Sequence, residues 1–242
     1  MLPFIRLGPF LLQLPGLALL VGVWIGSALA EKEAERLKLN PADVYNVIFY
    51  GLVAGLIGAR LAYAAQYLSA YLANPLSLFA LTPNTLSPNG GLVIGAAIAT
   101  LSGWRKKMAL RRTLDALAPG LAAFMIAFGV AHFLSGDAFG SPTKLPWAIY
   151  LWDDYRHPAQ VYETIAALAI FGIVRRRPFG QHEGVTFLLT VALFAGARVF
   201  LEAFRGDSII WIGGFRAAQV IGLLALVASL WLMRVWAQRK SP

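Results

Sequence analysis

The sequence predicts an all-α fold, a polytopic membrane protein of seven transmembrane helices with an external cap loop. Of its 242 residues, 58% are hydrophobic and only 14% are charged, and the mean hydropathy is +0.64. A soluble domain carries about a quarter of its residues as charges. Long uncharged apolar runs recur along the chain, each long enough to enter a bilayer. We therefore predict a single integral membrane domain over residues 1–242.

Seven apolar segments predict the helices. They lie near 9–30, 46–72, 90–104, 115–135, 159–174, 184–203 and 208–233. The first ends in Ala28-Leu29-Ala30, which is similar to a signal-peptidase site. It is longer than the core of a signal peptide and only Arg6 precedes it, so a retained helix is favoured over a cleaved leader. The third is short and starts at "NGG", which is compatible with a broken or re-entrant helix.

The distribution of positive charge predicts the orientation. With the N-terminus outside and the C-terminus cytoplasmic, fourteen Lys and Arg residues fall in cytoplasmic loops and four fall outside, which is the asymmetry typical of membrane proteins. The cytoplasmic set is Lys32, Arg36, Lys38, Arg105, Lys106, Lys107, Arg111, Arg112, Arg175, Arg176, Arg177, Arg234, Arg239 and Lys240; the external set is Arg6, Lys144, Arg156 and Arg205. This pattern also accounts for the net charge of +9 without nucleic-acid binding.

The longest external connection, 136–158, is the predicted cap. Its aromatic residues are those that membrane proteins place at the level of the headgroups. They are Trp147, Tyr150, Trp152 and Tyr155.

Several charges fall where lipid would not tolerate them. Arg60 lies in the middle of the second segment, and an arginine at that depth needs a partner or water. Arg198 and Glu202 are four apart, so they share a helix face, and Arg205 follows one turn later. A structural ion pair is one interpretation. A bound anion is the other, and a phospholipid phosphate suits the guanidinium fork. For Arg60 a bracing or snorkelling role is equally open.

The segment "HPAQVYE", residues 157–163, places a polar cluster at the entrance of an apolar helix. Pro158 suits the first helical position and Glu163 suits the positive end of the helix dipole, which is the purely structural explanation. It does not explain His157, Gln160 and Tyr162. We therefore expect a polar network that shapes a site at the external leaflet.

The chain resembles the prolipoprotein diacylglyceryl transferases of bacterial membranes. That family carries H-P-[ST]-Q-L-Y-E where this chain has "HPAQVYE", and R-x-x-x-E-x-x-R where it has Arg198, Glu202 and Arg205. The runs "GARLAY" (58–63), "GGLVIG" (90–95) and "GSPTKLPWAIY" (140–150) also match, as does Gln219 in the last helix. The matches follow the family's order over nearly the whole chain.

The resemblance implies transfer of the diacylglyceryl group of phosphatidylglycerol to the lipobox cysteine of a prolipoprotein signal peptide, in the bacterial plasma membrane. This chain has no cysteine, so the thiol would belong to the partner. No cofactor or metal is implied. The implied catalytic residues are Arg198, Glu202, Asp137 and His132. The implied substrate-binding residues are Arg60, Asn89, Gly136, Gly140, His157, Gln160, Tyr162, Glu163 and Arg205.

The chain departs from the family at its signature, G-R-I-G-N-F-x-N-G-E, which aligns with residues 128–137. Gly129 stands at the signature arginine, His132 at its first asparagine and Asp137 at its glutamate. Asn89 replaces a histidine and Pro15 a tyrosine. His132 could restore a base or a partial cation, or could be a structural histidine.

Two alternatives follow from these departures. A catalytically silent relative that binds lipid, or serves as a subunit of a larger membrane complex, is the main one. A transporter that uses the intramembrane charges is weaker, because no repeated half and no chain of acidic residues supports it.

Overall fold

In the computed structural model, the described residues are 3–8, 10–79, 85–176, 182–211 and 213–238. They are mostly helical. The chain forms two compact units, Met1–Glu33 with Leu114–Pro242, and Ala34–Thr113. The predicted single domain stays a prediction. Arg177, Arg239 and Lys240, which contribute to the predicted orientation, lie outside the described residues.

Eight α-helices and four short strands make up the described chain. The helices are α1 (Leu14–Arg36), α2 (Pro41–Gln66), α3 (Leu68–Ala73), α4 (Pro88–Arg105), α5 (Leu110–Ser135), α6 (Ala159–Arg176), α7 (Val185–Leu201) and α8 (Ala217–Gln238). The strands are β1 (Phe4–Leu7), β2 (Phe10–Gln13), β3 (Ile149–Leu151) and β4 (Asp154–Arg156). Single 3₁₀ turns cover Pro75–Phe79 and Glu202–Phe204.

Each of the seven predicted segments contains a helix, namely α1, α2 and α4 to α8. Five of these, α1, α2, α5, α7 with its 3₁₀ extension, and α8, are long and apolar enough to cross a membrane. Helix α6 carries Glu163, Arg175 and Arg176 within 18 residues. The described chain therefore has the helices of a multi-pass membrane protein, and the count of seven spans stays a prediction.

Two small antiparallel sheets correct the all-α expectation. Strands β1 and β2 form a hairpin around Gly8, whose φ of 61° suits the turn. The first membrane helix consequently starts at Leu14, not near residue 9. Strands β3 and β4 form a second hairpin inside the predicted cap, with Trp152 and Asp153 at φ of 54° and 59° in its turn.

Two further boundaries differ from the predicted ones. The second helix begins at Pro41, where the Asn40 side chain accepts a hydrogen bond from the Ala42 N–H at 3.1 Å, and it ends at Gln66 rather than near residue 72. An Asn cap followed by proline is a strong helix start. Helix α4 runs from Pro88 to Arg105 without the break that its short apolar segment allowed.

In the unit Ala34–Thr113, α2 and α4 pack antiparallel through glycines. A Cβ added at Gly95 would lie 2.7 Å from the Gly51 carbonyl oxygen, and one added at Gly91 would lie 2.8 Å from the Gly55 carbonyl. Small residues at such contacts let membrane helices approach closely. The close approach explains the glycines of both helices.

Arg60 braces the segment that follows α3. Its guanidinium donates to the carbonyls of Ser77 (2.6 Å), Leu78 (2.9 Å) and Thr85 (3.1 Å), and also to the Thr85 hydroxyl. Its charge lies 5.7 Å from the centre of the Tyr71 ring. These are the contacts of the bracing interpretation, and a substrate contact of Arg60 stays a prediction.

In the other unit, buried Asp115 of α5 fixes the start of α7. Its carboxylate oxygens accept hydrogen bonds from the N–H groups of Gly184 (2.5 Å) and Phe187 (2.9 Å). Gly184 has a φ of 83°, a left-handed conformation that glycine adopts without strain. Asp115 thus satisfies two of the amide groups that a helix start leaves unpaired. These hydrogen bonds from Asp115 hold α7, the helix that carries Arg198.

Candidate functional site

Glu163 lies at the centre of a cluster of titratable side chains from three helices and from the turn that follows α7. Its Oε1 accepts hydrogen bonds from Arg198 Nη1 at 2.9 Å and from Arg205 Nη1 at 2.8 Å. Its Oε2 lies 3.4 Å from His132 Nδ1. His132 is in the last turn of α5, Glu163 in the second turn of α6, and Arg198 in the last turn of α7. The ends of three helices thus bring a base, an acid and a guanidinium together.

A second carboxylate holds Arg198 from the other side. Glu202 is 1% exposed, and its Oε2 lies 2.9 Å from Arg198 Nη2. The contact is an ion pair without the alignment of a hydrogen bond, so Glu202 Oε2 has no hydrogen-bond donor among the described residues. The spacing of four predicted this pair. Arg198, 38% exposed, is the open cation of the cluster.

Arg205 is more fully engaged than Arg198. It donates to both oxygens of Asp207, at 2.8 and 2.6 Å, as well as to Glu163. Burial alone would lower the pKa of the Arg205 guanidinium, but its hydrogen bonds and pairing with Asp207 and Glu163 outweigh burial and raise that pKa. Its charge is therefore fixed and already balanced by two carboxylates.

Arg216 ties the backbone of this region together. Its Nη1 donates to the Arg205 carbonyl at 2.9 Å and to Ser208 Oγ at 3.1 Å, and it also contacts the Glu202 carbonyl. The turn that carries Glu202 and Arg205 is thus anchored to the start of α8. The sequence places Asp207 and Arg216 near the cluster, but their partners depend on a turn that no local pattern predicts.

A cavity of about 500 Å³ opens beside the cluster. Apolar residues of α5 to α8 form most of its wall, and His132, Glu163 and Arg198 are its titratable residues. The apolar lining is Leu121, Met125, Phe128, Gly129, Ala166, Ala167, Val191, Phe194, Ala195, Ala197, Leu201, Ala218, Ile221, Gly222 and Ala225. A largely apolar cavity with a few convergent polar groups is the usual form of a ligand site.

The polar network predicted at 157–163 forms as expected. The Tyr162 hydroxyl accepts a hydrogen bond from Trp147 Nε1 at 2.7 Å and lies 3.4 Å from His157 Nδ1. Fully buried Gln160 donates from Nε2 to the Asp137 carbonyl at 2.8 Å, while its Oε1 has no partner among the described residues. This network joins the cap to the start of α6. Trp147 is the member that the sequence did not assign to it.

Two glycines of the predicted site serve backbone contacts. The Gly136 carbonyl accepts a hydrogen bond from Trp152 Nε1 at 3.1 Å, and Gly136 has a φ of 81°. Gly140 lies against His157, where a Cβ would collide with the backbone. Both glycines thus shape the cap around the 157–163 network.

Three predicted site residues, Asp137, Arg60 and Asn89, are exposed or take part in other contacts. The Asp137 side chain is exposed and has no hydrogen bond or ion pair among the described residues, although its backbone takes part in the Gln160 contact. Arg60 and Asn89 belong to the other compact unit, Arg60 with the contacts given above and Asn89 exposed in the first turn of α4. Nor do the described residues contain a group of three His, Asp or Glu side chains fit to hold a metal ion.

Comparison with known proteins identifies the family. The family model described as "Prolipoprotein diacylglyceryl transferase" matches residues 3–235. The chain belongs to this family. Similar proteins include the phosphatidylglycerol–prolipoprotein diacylglyceryl transferases of Lactiplantibacillus plantarum (30% identical; 98% of this chain, 89% of the relative), Clostridioides difficile (28%; 93% and 91%) and Streptococcus suis (28%; 98% and 92%). Lipoprotein biosynthesis is thus the function at the level of the family.

Gly129, where the resemblance predicts the signature arginine, is closely packed against α6. A Cβ added there would collide with Thr164 Oγ1 and would lie 3.2 Å from the Thr164 Cα. Thr164 itself is fixed, because its hydroxyl donates to the Gln160 carbonyl at 2.7 Å. Helix α6 therefore occupies the space that a side chain at 129 would need, and it places Glu163 beside His132.

Proposed function

We propose that this protein transfers the diacylglyceryl group of phosphatidylglycerol to the cysteine thiol of a prolipoprotein signal peptide. The observation that carries the proposal is the apolar cavity that ends at His132, Glu163 and Arg198. Its lining suits acyl chains, and its charged end suits a phosphate and a reacting thiol. The family and the names of the relatives support the same reaction.

Arg198 is the residue proposed to hold the phosphate. Each arginine pairs with two carboxylates, but the Arg198 side chain is 38% exposed and that of Arg205 only 9%, so Arg198 is the one open to a phosphate. As the C–O bond of the glyceryl carbon breaks, negative charge develops on the departing glycerol phosphate. A fixed guanidinium stabilises that charge, and Glu202 orients the guanidinium from behind.

His132 is proposed to accept the proton of the thiol. A thiol with a pKa of about 8.5 attacks only as the thiolate, so a nearby base speeds the reaction. The sulfur then forms the thioether with the glyceryl carbon, and the electron pair of the broken bond leaves with the phosphate. Glu163, 3.4 Å from His132, would hold the imidazole and stabilise its protonated form.

Gly136, Gly140, His157, Gln160 and Tyr162 are proposed to form the wall of the site nearest the headgroups. Asp137 would act through its backbone there. Arg60 and Asn89 stay proposed substrate contacts that only an experiment on each side chain can assign.

The test is transfer by the purified protein in phosphatidylglycerol liposomes, followed by intact mass of a lipobox peptide. We expect a peptide heavier by one diacylglyceryl group and an equal amount of glycerol phosphate. A peptide with Cys→Ser at the lipobox controls for the thioether. The absence of product, in liposomes where a transferase with the full signature is active, would contradict the proposal.

A silent relative is the second candidate, and the filled space at Gly129 favours it. A chain that has closed the position of the signature arginine has either moved the chemistry to His132 or abandoned it. A silent protein would still retain phosphatidylglycerol, and as a subunit of a larger membrane complex it would co-purify with partners. The same liposomes decide between the two, since only the enzyme releases glycerol phosphate.

A further inference from the structure

A second groove lies far along the chain from the cluster, in the unit Ala34–Thr113. It is defined by four α2 residues from Tyr50 to Ile57 and four α4 residues from Ile98 to Arg105, with Lys106 beside them, and we call it the α2–α4 groove. Its volume is about 460 Å³. The proposed transfer reaction uses none of these residues.

The lining residues follow the helical repeat on both walls. On α2 they are residues 50, 53, 54 and 57, and on α4 they are 98, 101, 102 and 105. Residues spaced by three and four lie on one face of a helix, so each wall is a single stripe. Each stripe is about 10 Å long at 1.5 Å per residue, the length of part of an acyl chain.

Both walls are apolar except at one end. Tyr50, Val53 and Ile57 are 48%, 42% and 56% exposed, so the groove is open. Besides Arg105 and Lys106, the polar groups of the lining are the hydroxyls of Tyr50 and Ser102. An apolar channel facing the bilayer is filled by hydrocarbon, because no water is present there to solvate it.

The charged end has an unsatisfied cation. Lys106 Nζ lies 3.1 Å from Asp43, so its charge is balanced locally. Arg105 is exposed and has no hydrogen bond or ion pair with any residue that the structure describes. An unpaired guanidinium at the mouth of an apolar channel is complementary to a phosphate on an acyl chain. A zwitterionic lipid would neutralise it less well, since its own ammonium group competes.

We propose that the α2–α4 groove binds one acidic phospholipid, with an acyl chain between the two stripes and its phosphate on Arg105 and Lys106. The charge distribution predicts that this end of α4 is cytoplasmic. The lipid therefore belongs to the inner leaflet, whereas the proposed reaction uses the external one. The site is a lipid contact separate from the substrate.

Photo-labelling tests the proposal in the intact protein. The full chain is placed in phosphatidylcholine vesicles that contain a trace of phosphatidylglycerol with a diazirine in its acyl chain. After irradiation, peptide mass spectrometry locates the adducts. We expect adducts on the α2 and α4 stripes that excess unlabelled phosphatidylglycerol removes and excess phosphatidylcholine does not.

Three variants separate the groove from general attraction to acidic lipid. Arg105→Ala with Lys106→Ala is expected to reduce groove adducts roughly tenfold to thirtyfold, the effect of two cations at an acidic lipid. Arg175→Ala with Arg176→Ala removes two charges predicted on the same side but outside the groove, and leaves the adducts unchanged. Ala54→Phe fills the groove, keeps its charges, and removes the adducts.

Thermal unfolding in detergent reports that each variant is folded. Equal labelling of the groove by diazirine phosphatidylcholine would overturn the proposal, because the groove would then hold any lipid. Groove adducts that survive loss of Arg105 and Lys106 would overturn it too. An unlabelled groove would also overturn the proposal, because no lipid would then occupy it. Each readout is independent of diacylglyceryl transfer, so the two proposals fail separately.

Discussion

Gly129 is a residue at which the sequence and the structure give complementary information. The resemblance to the family predicts an arginine at this position, where the sequence has glycine. The structure adds that α6 lies against Gly129 through Thr164, so that an added side chain has no space. The contact between Gly129 and Thr164 therefore both requires glycine at 129 and keeps Glu163 beside His132.

Restoring the arginine is a direct check of that packing. We expect Gly129→Arg to lose transfer activity and not to improve it, because the new side chain would push α6 and Glu163 away. Gly129→Ala should lower the free energy of unfolding by about 1–3 kcal/mol, as overpacking does. Gly196→Ala is the matched control, since a Cβ at Gly196 meets nothing within 4 Å. Thermal unfolding in detergent measures both, and an unaffected Gly129→Ala would contradict the contact.

Most of the helices could be predicted from the sequence, but the side-chain contacts between them could not. The apolar runs locate α1, α2 and α4 to α8, since hydrophobic length alone sets a membrane helix. The pair Arg198–Glu202 follows from a spacing of four. Glu163 binding Arg198 and Arg205 does not follow from any pattern, because it depends on how α6 meets α7. The hairpins at 4–13 and 149–156 were not predicted, because their apolar and aromatic residues suit a membrane interface equally well.

The capping of α7 by Asp115 gives a prediction at this scale. Asp115→Ala removes the acceptor for the Gly184 and Phe187 N–H groups, and should cost about 1–3 kcal/mol through a lost cap and unpaired buried amides. Asp115→Asn retains one carbonyl oxygen and should cost less. Asp153→Asn, in the exposed turn between β3 and β4, should leave the free energy of unfolding unchanged. If unfolding in detergent shows equal stability for all three variants, the stability of α7 does not depend on the hydrogen bonds from Asp115.

At the scale of the whole molecule, the orientation in the membrane is a prediction from charge alone. Fourteen cations against four predict the N-terminus and the cap outside. The orientation decides which leaflet supplies the substrate and which supplies the lipid of the α2–α4 groove. The two proposed sites share no residue, but both assignments to a leaflet depend on this orientation.

The absence of native cysteine makes the orientation simple to measure. Single cysteines at Lys144→Cys, in the cap, and Arg176→Cys, at the end of α6, are both exposed. In intact bacterial cells, a membrane-impermeant maleimide should label Lys144→Cys only, and after lysis it should label both. Labelling of Arg176→Cys in intact cells would reverse the orientation and with it the assignment of the leaflets.

If diacylglyceryl transfer takes place at the cluster on Glu163, Arg198→Ala should abolish most of it. The measurement is the initial rate of diacylglyceryl-peptide formation in phosphatidylglycerol liposomes, with Arg175→Ala as the matched arginine outside the cluster. Removal of one donor to a developing oxyanion slows related reactions by about 10²–10³, and we expect a loss of that size for Arg198→Ala and none for Arg175→Ala. A folded, inserted Arg198→Ala protein that transfers at the wild-type rate would place the chemistry elsewhere.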